Sequence, residues 1–420
     1  MSMGRPMSKT LTPPEQPSLD IIVFPLHDWK KCQSQGLARR DTHIIRGLEK
    51  VPDVRTILLV DRPVSSSMLV YNAIRGESSF ARAERLVRRS GTRWLWQLSD
   101  KLYVLDTVVI DPLSALLMRK RWWPHILENM SFLAGVRDTA NHLGIERPVL
   151  WLFTPISAPA IGWFSERLVV FDAIDNWVKH DHMSAYRHAA LSGYDRIRLK
   201  ADIAFCNSKS MQRFLAGGRP ESYWVPNGVD LTLFRPSSKR MLHEAPVAGK
   251  PRVGYAGAID SRLDVDLLEQ CATALPYADF VLVGPVVGST GFLRRLRSLR
   301  NVYCLGSKRY EDMPHYINSF DVCVIPHKVN GYTDAMNPLK LYEYLACGKP
   351  VVSTSVAGVD TFRDVITIVD SPSSFVAAVK AGVDEGNSRA AELRDSVAQH
   401  SWANRLEFIS SKVLAKIKSQ

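Results

Sequence analysis

Short apolar runs alternate with amphipathic stretches along nearly the whole of this 420-residue chain. Parallel β-strands joined by crossover helices produce such an alternation, because each strand is buried on both faces and each helix on one. A chain of this length exceeds what one core usually organises, so we expect two α/β sheets. The predicted strands are 20–24, 56–60, 102–110, 149–153, 168–171, 203–206 and 223–225, then 252–255, 280–283, 302–305, 322–325, 351–353 and 366–369.

The alternation is interrupted over residues 235–250, which are dense in Pro, Ser, Lys and Gly and lack periodicity. We take this stretch as a linker between two Rossmann-like domains, an N-terminal one at 19–234 and a C-terminal one at 251–400. Apolar residues at helical spacing in 401–420 predict an amphipathic helix that packs on a neighbouring surface. Residues 1–18 lack the apolar core of a signal peptide, so we expect a disordered lead-in there.

The charge balance is basic, with 54 Lys and Arg against 42 Asp and Glu and a formal net charge of +12. Such a bias favours anionic partners, and the phosphates of lipid head groups or lipid-linked sugars fit as well as nucleic acid does. No apolar run reaches the roughly 18 residues that a membrane span requires, so we expect a soluble, cytoplasmic protein. The six cysteines are scattered without paired spacing, which indicates free thiols.

The densest pattern of candidate functional residues lies in 337–354, Asn-Pro-Leu-Lys-Leu-Tyr-Glu-Tyr-Leu-Ala-Cys-Gly-Lys-Pro-Val-Val-Ser-Thr. Pro338 suits the first turn of a helix and Gly348 its end, so Lys340 and Glu343 lie one turn apart on one face. Free N–H groups and the positive dipole end at such a helix start favour phosphate, and Lys340 adds a cation there. Glu343 is placed to accept hydrogen bonds from ribose hydroxyls. An ordinary surface helix with a Lys/Glu pair is the alternative.

This segment resembles the donor-binding helix of GT-B glycosyltransferases, especially the large retaining family four (group 1) and its relatives. In that family a Glu ahead of a Cys-Gly-x-Pro-Val-Val ending binds the ribose of the sugar nucleotide, which implies that role for Glu343. The Asn337-Pro338-Leu339-Lys340 version is similar to a subgroup in which the Lys contacts the donor diphosphate. The resemblance therefore assigns the diphosphate to Lys340 and donor contacts to the three residues before it.

The chain departs from the family pattern at one position of the donor site. The family carries another Glu eight positions before the ribose-binding one, where it contacts the donor sugar. This chain has Ala335 at that place, with Asp334 beside it. The residue that contacts the sugar is therefore left open.

Residues 253–262, Val-Gly-Tyr-Ala-Gly-Ala-Ile-Asp-Ser-Arg, resemble the opening strand and loop of the C-terminal domain in this fold. A glycine such as Gly257 admits close approach of phosphate to the backbone. The resemblance implies donor contacts for Gly257 and Asp260 and makes Arg262 a second diphosphate cation. The family has an Arg and a Lys where this chain has Ala258 and Leu263, so Arg262 substitutes for both.

Residues 306–310, Gly-Ser-Lys-Arg-Tyr, correspond to the loop that lies beside the nucleobase in relatives. The resemblance implies donor contacts for Lys308 and Tyr310. A generic loop between a strand and a helix is the alternative.

Two carboxylates, Asp172 and Asp175, follow the strand predicted at 168–171. Sites in α/β sheets form at the carboxyl ends of strands. We select Asp175 as the candidate catalytic base, because in inverting relatives a carboxylate of this half takes the proton of the acceptor hydroxyl. Retaining relatives use the leaving phosphate instead, and a cap of the next helix is the alternative role for Asp175.

Arg40 and His43 follow the first predicted strand, in a loop and helix that face the cleft in this fold. We expect them on the acceptor side, with solvated helix charges as the alternative.

Residues 113–135 mix apolar side chains with a basic triplet at 119–121 and the two tryptophans that follow it. This composition is typical of a helix in a membrane interface, although a packed helix with a basic exposed face is equally compatible. A peripheral membrane contact here would imply a lipid-linked acceptor and a location at the inner face of the membrane.

Asp264 and Asp266 have the Asp-x-Asp form of a metal site but open a predicted helix, where first-turn carboxylates complement the dipole. We therefore expect no metal ion and no cofactor.

These features together predict a GT-B glycosyltransferase with a cleft between two Rossmann-like domains and a C-terminal helix that packs back. The predicted reaction moves a hexosyl group from a UDP- or GDP-type donor to a saccharide or lipid-linked saccharide in surface polysaccharide or glycolipid biosynthesis. Lys340 and Arg262 would neutralise the charge that grows on the departing diphosphate. The alternatives are a sugar-nucleotide epimerase of the same fold and a basic nucleic-acid-binding or adaptor protein, although we expect no nucleic acid partner.

Overall fold

The computed structural model describes residues 18–420 except 35, 77, 82, 84, 180, 238–248 and 288–290. Almost all of the predicted lead-in and most of the predicted linker therefore lie outside the described residues. The described part of the chain forms two separate sheets, one in each half.

The N-terminal sheet is mainly parallel and has the strand order β10-β9-β8-β7-β1-β2-β6-β5-β4, with the short β3 beside β6. Its strands are β1 (Leu19–Phe24), β2 (Val54–Val60), β3 (Val64–Ser65), β4 (Arg85–Ser90), β5 (Arg93–Gln97), β6 (Leu102–Val109), β7 (Val149–Leu152), β8 (Leu168–Ala173), β9 (Ile203–Cys206) and β10 (Glu221–Trp224). Only β5 runs antiparallel to the other strands, and it lies between β6 and the edge strand β4, with which it forms a hairpin. All seven strands predicted for this half are present, and the hairpin and β3 are additional.

Helices connect these strands and cover both faces of the N-terminal sheet. They are α1 (Trp29–Ser34), α2 (Arg40–Leu48), α3 (Ser66–Ile74), α4 (Pro112–Met118), α5 (Trp122–Leu127), α6 (Met130–His142), α7 (Arg187–Lys200) and α8 (Lys209–Leu215). The central strands are buried throughout, as the near-continuous apolar runs of the sequence require.

The C-terminal sheet is parallel throughout, with the order β13-β12-β11-β14-β15-β16. Its strands are β11 (Arg252–Ala256), β12 (Asp279–Val283), β13 (Val302–Gly306), β14 (Val322–Ile325), β15 (Val351–Thr354) and β16 (Thr367–Val369). The helices of this half are α9 (Val265–Ala274), α10 (Gly291–Arg297), α11 (Met313–Asn318), α12 (Leu339–Ala346), α13 (Pro372–Glu385), α14 (Ala390–Ser396) and α15 (Trp402–Lys418). The sheet order changes direction at β11, where such folds open a binding crevice.

The chain crosses between the halves twice, close to Val229. The Val229 N–H donates to the carbonyl of His400 (3.0 Å), and the Trp402 N–H donates to the carbonyl of Val229 (3.1 Å). Helix α15 then returns to the N-terminal half, where Leu406 lies directly against Gly47 of α2. The predicted C-terminal helix and its packing are confirmed.

Residues 113–135 do not form the single interfacial helix that their composition indicated. The first helix ends before Arg119, which has a φ of +50°. Trp122 and Trp123 begin the next helix and are buried in the core, each 7% exposed. The Trp123 ring contacts Trp177 and Tyr186. These tryptophans are packing residues, and membrane contact through residues 113–135 stays a prediction. No helix among the described residues has the length and apolar character needed to cross a bilayer.

Candidate active site

A cavity of about 280 Å³ lies between the two sheets, at the carboxyl ends of their strands. The N-terminal half lines it with the loops after β1, β8 and β9, and the C-terminal half with the loops after β11, β12, β13 and β14 and the start of α12. Parallel strands bring these loops to one edge of each sheet, so the two edges face each other across the cavity. This is the candidate active site.

Both key side chains of α12 line the cavity. The helix begins at Leu339, and the residue before it, Pro338, makes no side-chain cap at its N-terminus. Lys340 and Glu343 follow one turn apart, as the sequence predicted, and both contribute to the wall. An uncapped helix start and a lysine beside it make this wall attractive to phosphate.

Lys340 lies in a cluster with an aromatic hydroxyl and an imidazole. Its Nζ donates to the Tyr255 hydroxyl (2.7 Å), lies 3.3 Å from Nε2 of His327, and lies 3.9 Å from the Tyr255 ring centroid. Burial and then the nearby Arg262 hold the pKa of Lys340 well below its usual value. Burial, Lys340 and Arg262 likewise hold the pKa of His327 well below its usual value. An arriving anion would stabilise the charged form of this lysine.

Glu343 is buried (7% exposed) in the wall of the cavity. Burial raises the pKa of its carboxyl to about 7, while the Tyr310 hydroxyl and Lys340 act in the opposite direction. The Tyr310 ring packs against Phe234 and His43. A buried carboxyl needs hydrogen-bond donors, and ligand hydroxyls would supply further ones.

Two glycines let the backbone approach the lysine. Gly257 has a φ of +142°, and a Cβ there would lie 2.8 Å from Nζ of Lys340. Gly284 has a φ of +151°, and a Cβ there would lie 1.9 Å from the carbonyl oxygen of Gly257. The two loops fit together only because neither position carries a side chain.

Arg262 lines the cavity, but Asp260 does not. The Arg262 Nε donates to both Asp260 oxygens (2.9 and 3.0 Å), and the Arg262 N–H donates to Asp260 Oδ1 (3.0 Å). The Asp260 carboxylate therefore holds the guanidinium of Arg262 in place, and the direct donor contact predicted for Asp260 stays a prediction.

Asp175 faces the cavity from the N-terminal half. Burial raises the pKa of this carboxyl, while Arg262, His27 and Arg39 act to lower it. The turn that follows is instead capped by Asn176, whose Oδ1 accepts from the Val178 N–H (3.1 Å). Asp175 thus lies beside cations from both halves and does not cap the next helix.

Arg40 lines the cavity and is held there by hydrogen bonds within the protein. It is 3% exposed, its Nε and Nη2 donate to Asp172 (2.7 and 3.4 Å), and its Nη1 donates to Asn227 (3.3 Å). Its predicted acceptor contact stays a prediction.

His43 also has a packing role. Its ring stacks on Trp402 of α15 with centroids 4.7 Å apart and meets the Tyr310 ring edge-on. Burial lowers the pKa of His43 to about 4. His43 is absent from the wall of this cavity, and its predicted acceptor contact stays a prediction.

The remaining predicted donor residues share the cavity wall with Lys340; they are Lys308, Tyr310, Asn337, Pro338 and Leu339. Their individual contacts to a donor stay predictions. Asn337 additionally bonds the crossover segment, because its Oδ1 accepts from the Asn227 N–H (2.7 Å) and its carbonyl from Asn227 Nδ2 (2.7 Å).

Sequence reasoning missed His327 and the Asn227–Asn337 pair. His327 follows directly after Pro326 at the end of β14, so its position at a strand's carboxyl end was an available signal. The pair joins residues 110 positions apart and carries no local signal.

The Asp-x-Asp pair at 264–266 has ordinary structural contacts. Asp264 caps α9 by accepting from the Leu267 N–H (3.0 Å), and Asp266 accepts from Arg295 (2.7 Å). Among the described residues no three acidic, His or Cys side chains are grouped to hold a metal ion.

Solved structures with this arrangement of two sheets define the class of protein. The chain is similar to sucrose-phosphate synthase from Thermosynechococcus elongatus, with a TM-score of 0.69 and 14% identity over 96% of this chain and 100% of that one. It is also similar to HepE of Anabaena, with a TM-score of 0.60 and 15% identity over 94% and 100%. The fold is the GT-B fold of glycosyltransferases.

The sequence comparisons give the family. Residues 250–384 match the family model described as Glycosyl transferases group 1. TuaH of Bacillus subtilis (strain 168), which is provisionally assigned to teichuronic acid biosynthesis as a glycosyltransferase, is 30% identical over 273 residues, or 60% of this chain and 68% of TuaH. The chain belongs to the group 1 glycosyltransferases.

Proposed function

We propose that the chain moves a hexosyl group from a UDP- or GDP-type sugar nucleotide to a hydroxyl of a saccharide or lipid-linked saccharide acceptor. The observation that carries this proposal is the placement of Lys340 and Glu343, one turn apart, in the wall of the cavity between the halves. Glu343 would accept from the ribose hydroxyls, and the helix start with Lys340 would receive the diphosphate.

The transferred sugar leaves a diphosphate on which negative charge grows. Lys340 and Arg262 both line the cavity, and Asp260 holds the guanidinium of Arg262 in place. Preorganised cations of this kind stabilise a departing anion in the transition state. Because the cations are already present, we propose that the reaction proceeds without a metal ion or a cofactor.

Two relatives support the choice of donor and pathway. HepE of Anabaena was solved in complex with UDP-glucose, which favours a uridine nucleotide and a hexosyl group. The provisional name of TuaH favours surface polysaccharide assembly. We propose that this chain acts in a pathway of that kind, at the cytoplasmic side of the membrane.

Asp175 is the proposed base for the acceptor hydroxyl. Burial raises the pKa of its carboxyl, which suits proton uptake, and the carboxyl faces the cavity opposite the donor side.

Thermal-shift screening of UDP, GDP, ADP and their sugars tests the proposal. We expect one nucleotide to raise the Tm of the wild type and to raise that of Lys340→Ala and Glu343→Ala much less. Asp175→Asn should keep the nucleotide-induced shift and lose transfer, since it touches no donor group. Lys380→Ala, an exposed lysine on α13, is the matched control and should behave as the wild type. The proposal fails if no nucleotide shifts the Tm.

A further inference from the structure

Helices α3 and α4 are unusual in this molecule because neither contains a buried residue. Their apolar side chains point outward, with Ile74 81% exposed and Leu113, Leu116 and Leu117 between 67% and 73% exposed. Val70 of α3 is 60% exposed. The two helices lie side by side, so these side chains form one apolar face, which we name the α3–α4 surface. A contiguous apolar face of this kind marks an interaction site.

The sheet fixes where this surface lies. β3 pairs in parallel with the end of β6, Val64 with Val108 and Ser65 with Val109. Helix α3 starts directly after β3, and α4 starts shortly after β6. Both helices therefore leave the sheet at the carboxyl ends of its parallel strands. The loops after β1 and β8, which line the candidate active site, leave the same edge.

The surface is bordered by positive charge. Arg119, Lys120 and Arg121 follow α4, while residues 64–77 and 110–121 contain two acidic residues, Glu77 and Asp111. The basic triplet is exposed, and within the described residues none of its three side chains pairs with an acidic group. Apolar side chains bordered by cations complement an anionic lipid surface. The head-group region takes up the apolar side chains, and the lipid phosphates attract the cations. A second copy would instead bring like charges together.

We propose that the α3–α4 surface docks on an anionic lipid bilayer, with its apolar side chains in the head-group region and its basic border against lipid phosphates. The surface and the active site share one edge of the N-terminal sheet, so docking brings the cavity close to the membrane. The binding itself depends only on this surface. The further step, that the membrane presents the acceptor to the cavity, rests on the proposed function.

Co-sedimentation with lipid vesicles tests the docking. The full chain should bind vesicles that contain phosphatidylglycerol and bind much less to vesicles of phosphatidylcholine alone. The pair Leu116→Gln and Leu117→Gln should lower the partition coefficient at least about tenfold, because two exposed leucines no longer enter the bilayer. The pair Lys120→Gln and Arg121→Gln should lower it about fivefold for each charge removed, and added salt should have the same effect.

Leu199→Gln is the matched control, since Leu199 on α7 is 69% exposed and lies outside the α3–α4 surface. It should bind vesicles as the wild type does. Retention of the nucleotide-induced Tm shift by every variant, measured without vesicles, separates this test from that of the proposed function. The inference is overturned if the wild-type protein does not bind anionic vesicles. It is also overturned if the protein forms a concentration-dependent dimer that Leu116→Gln and Leu117→Gln together abolish while vesicle binding stays unchanged.

Discussion

At the scale of single residues, the candidate site pairs a lysine and a glutamate whose pKa values both move towards neutrality. Burial is the first cause in each case, since it lowers the pKa of Lys340 and raises that of Glu343 to about 7. Burial therefore disfavours the charged form of both side chains. A bound diphosphate would favour the charged form of Lys340, because an opposite charge favours the ionised form.

Glu343 gives a stability prediction with a definite sign. The folded protein holds the Glu343 proton up to about pH 7, whereas the unfolded chain releases it near the ordinary value of 4.5. The protonated carboxyl therefore stabilises the fold below pH 4.5, and this contribution is lost as pH rises through 7. Relative to Glu343→Gln, the wild type should lose roughly 2 to 3 kcal/mol of unfolding free energy between pH 5 and 8.

Urea unfolding of both proteins across this pH range measures the difference. Glu407→Gln, an exposed carboxyl on α15, provides the baseline for a surface substitution. A pH-independent difference between wild type and Glu343→Gln would show that the carboxyl is not held protonated.

The placement of two residues was predictable because its signal is local. The helix start at Pro338 and the three-residue spacing put Lys340 and Glu343 on one helix face, and both lie in the cavity wall. The hydrogen-bond partners of Arg40 and Asp260 were not predicted. Arg40 donates a hydrogen bond to Asp172, 132 positions away, and no pattern along the sequence predicts such a pair.

At the scale of elements, the site depends on how closely the loops after β11 and β12 approach each other. A side chain at Gly284 would collide with the backbone of Gly257, and both residues have a positive φ. We expect Gly284→Ala to lower stability by about 3 kcal/mol or more and to weaken nucleotide binding by displacing Gly257.

Gly217→Ala is the matched control for this substitution. Gly217 also has a positive φ (+80°), but nothing lies within 4 Å of an added Cβ. This control should lower the free energy of unfolding by about 1 to 2 kcal/mol, because alanine is strained in the left-handed conformation, and it should leave nucleotide binding unchanged. Calorimetric unfolding and nucleotide titration of both variants make the comparison, and equal effects would refute the crowding explanation.

The strands were predictable because buried parallel strands are near-continuous apolar runs. The β4–β5 hairpin escaped prediction because its first strand, Arg-Leu-Val-Arg-Arg-Ser, is half arginine and lies on the sheet edge, where burial is partial. Residues 113–135 left an interfacial helix and a packed helix equally open, because composition does not say which apolar side chains are buried. Tertiary packing buries Trp122 and Trp123 and exposes the leucines of α4.

At the scale of the whole molecule, the cavity exists because the two halves meet closely. A Cβ at Gly36 of the N-terminal half would lie 2.7 Å from the backbone nitrogen of Tyr310 in the C-terminal half. The crossover residue Asn227 bonds Asn337, two residues before the start of α12. The sequence predicted two halves, yet their distance depends on such long-range contacts, which periodicity does not encode.

Binding of UDP and UMP, compared by isothermal titration calorimetry, tests most directly whether Lys340 receives the diphosphate and Glu343 the ribose. The wild type should prefer UDP to UMP. Lys340→Met should reduce that preference about tenfold or more, because one charged hydrogen bond to the second phosphate is lost. Glu343→Gln should weaken both ligands by a similar factor and keep the preference. An unchanged preference in Lys340→Met would contradict the assignment of the diphosphate to the start of α12.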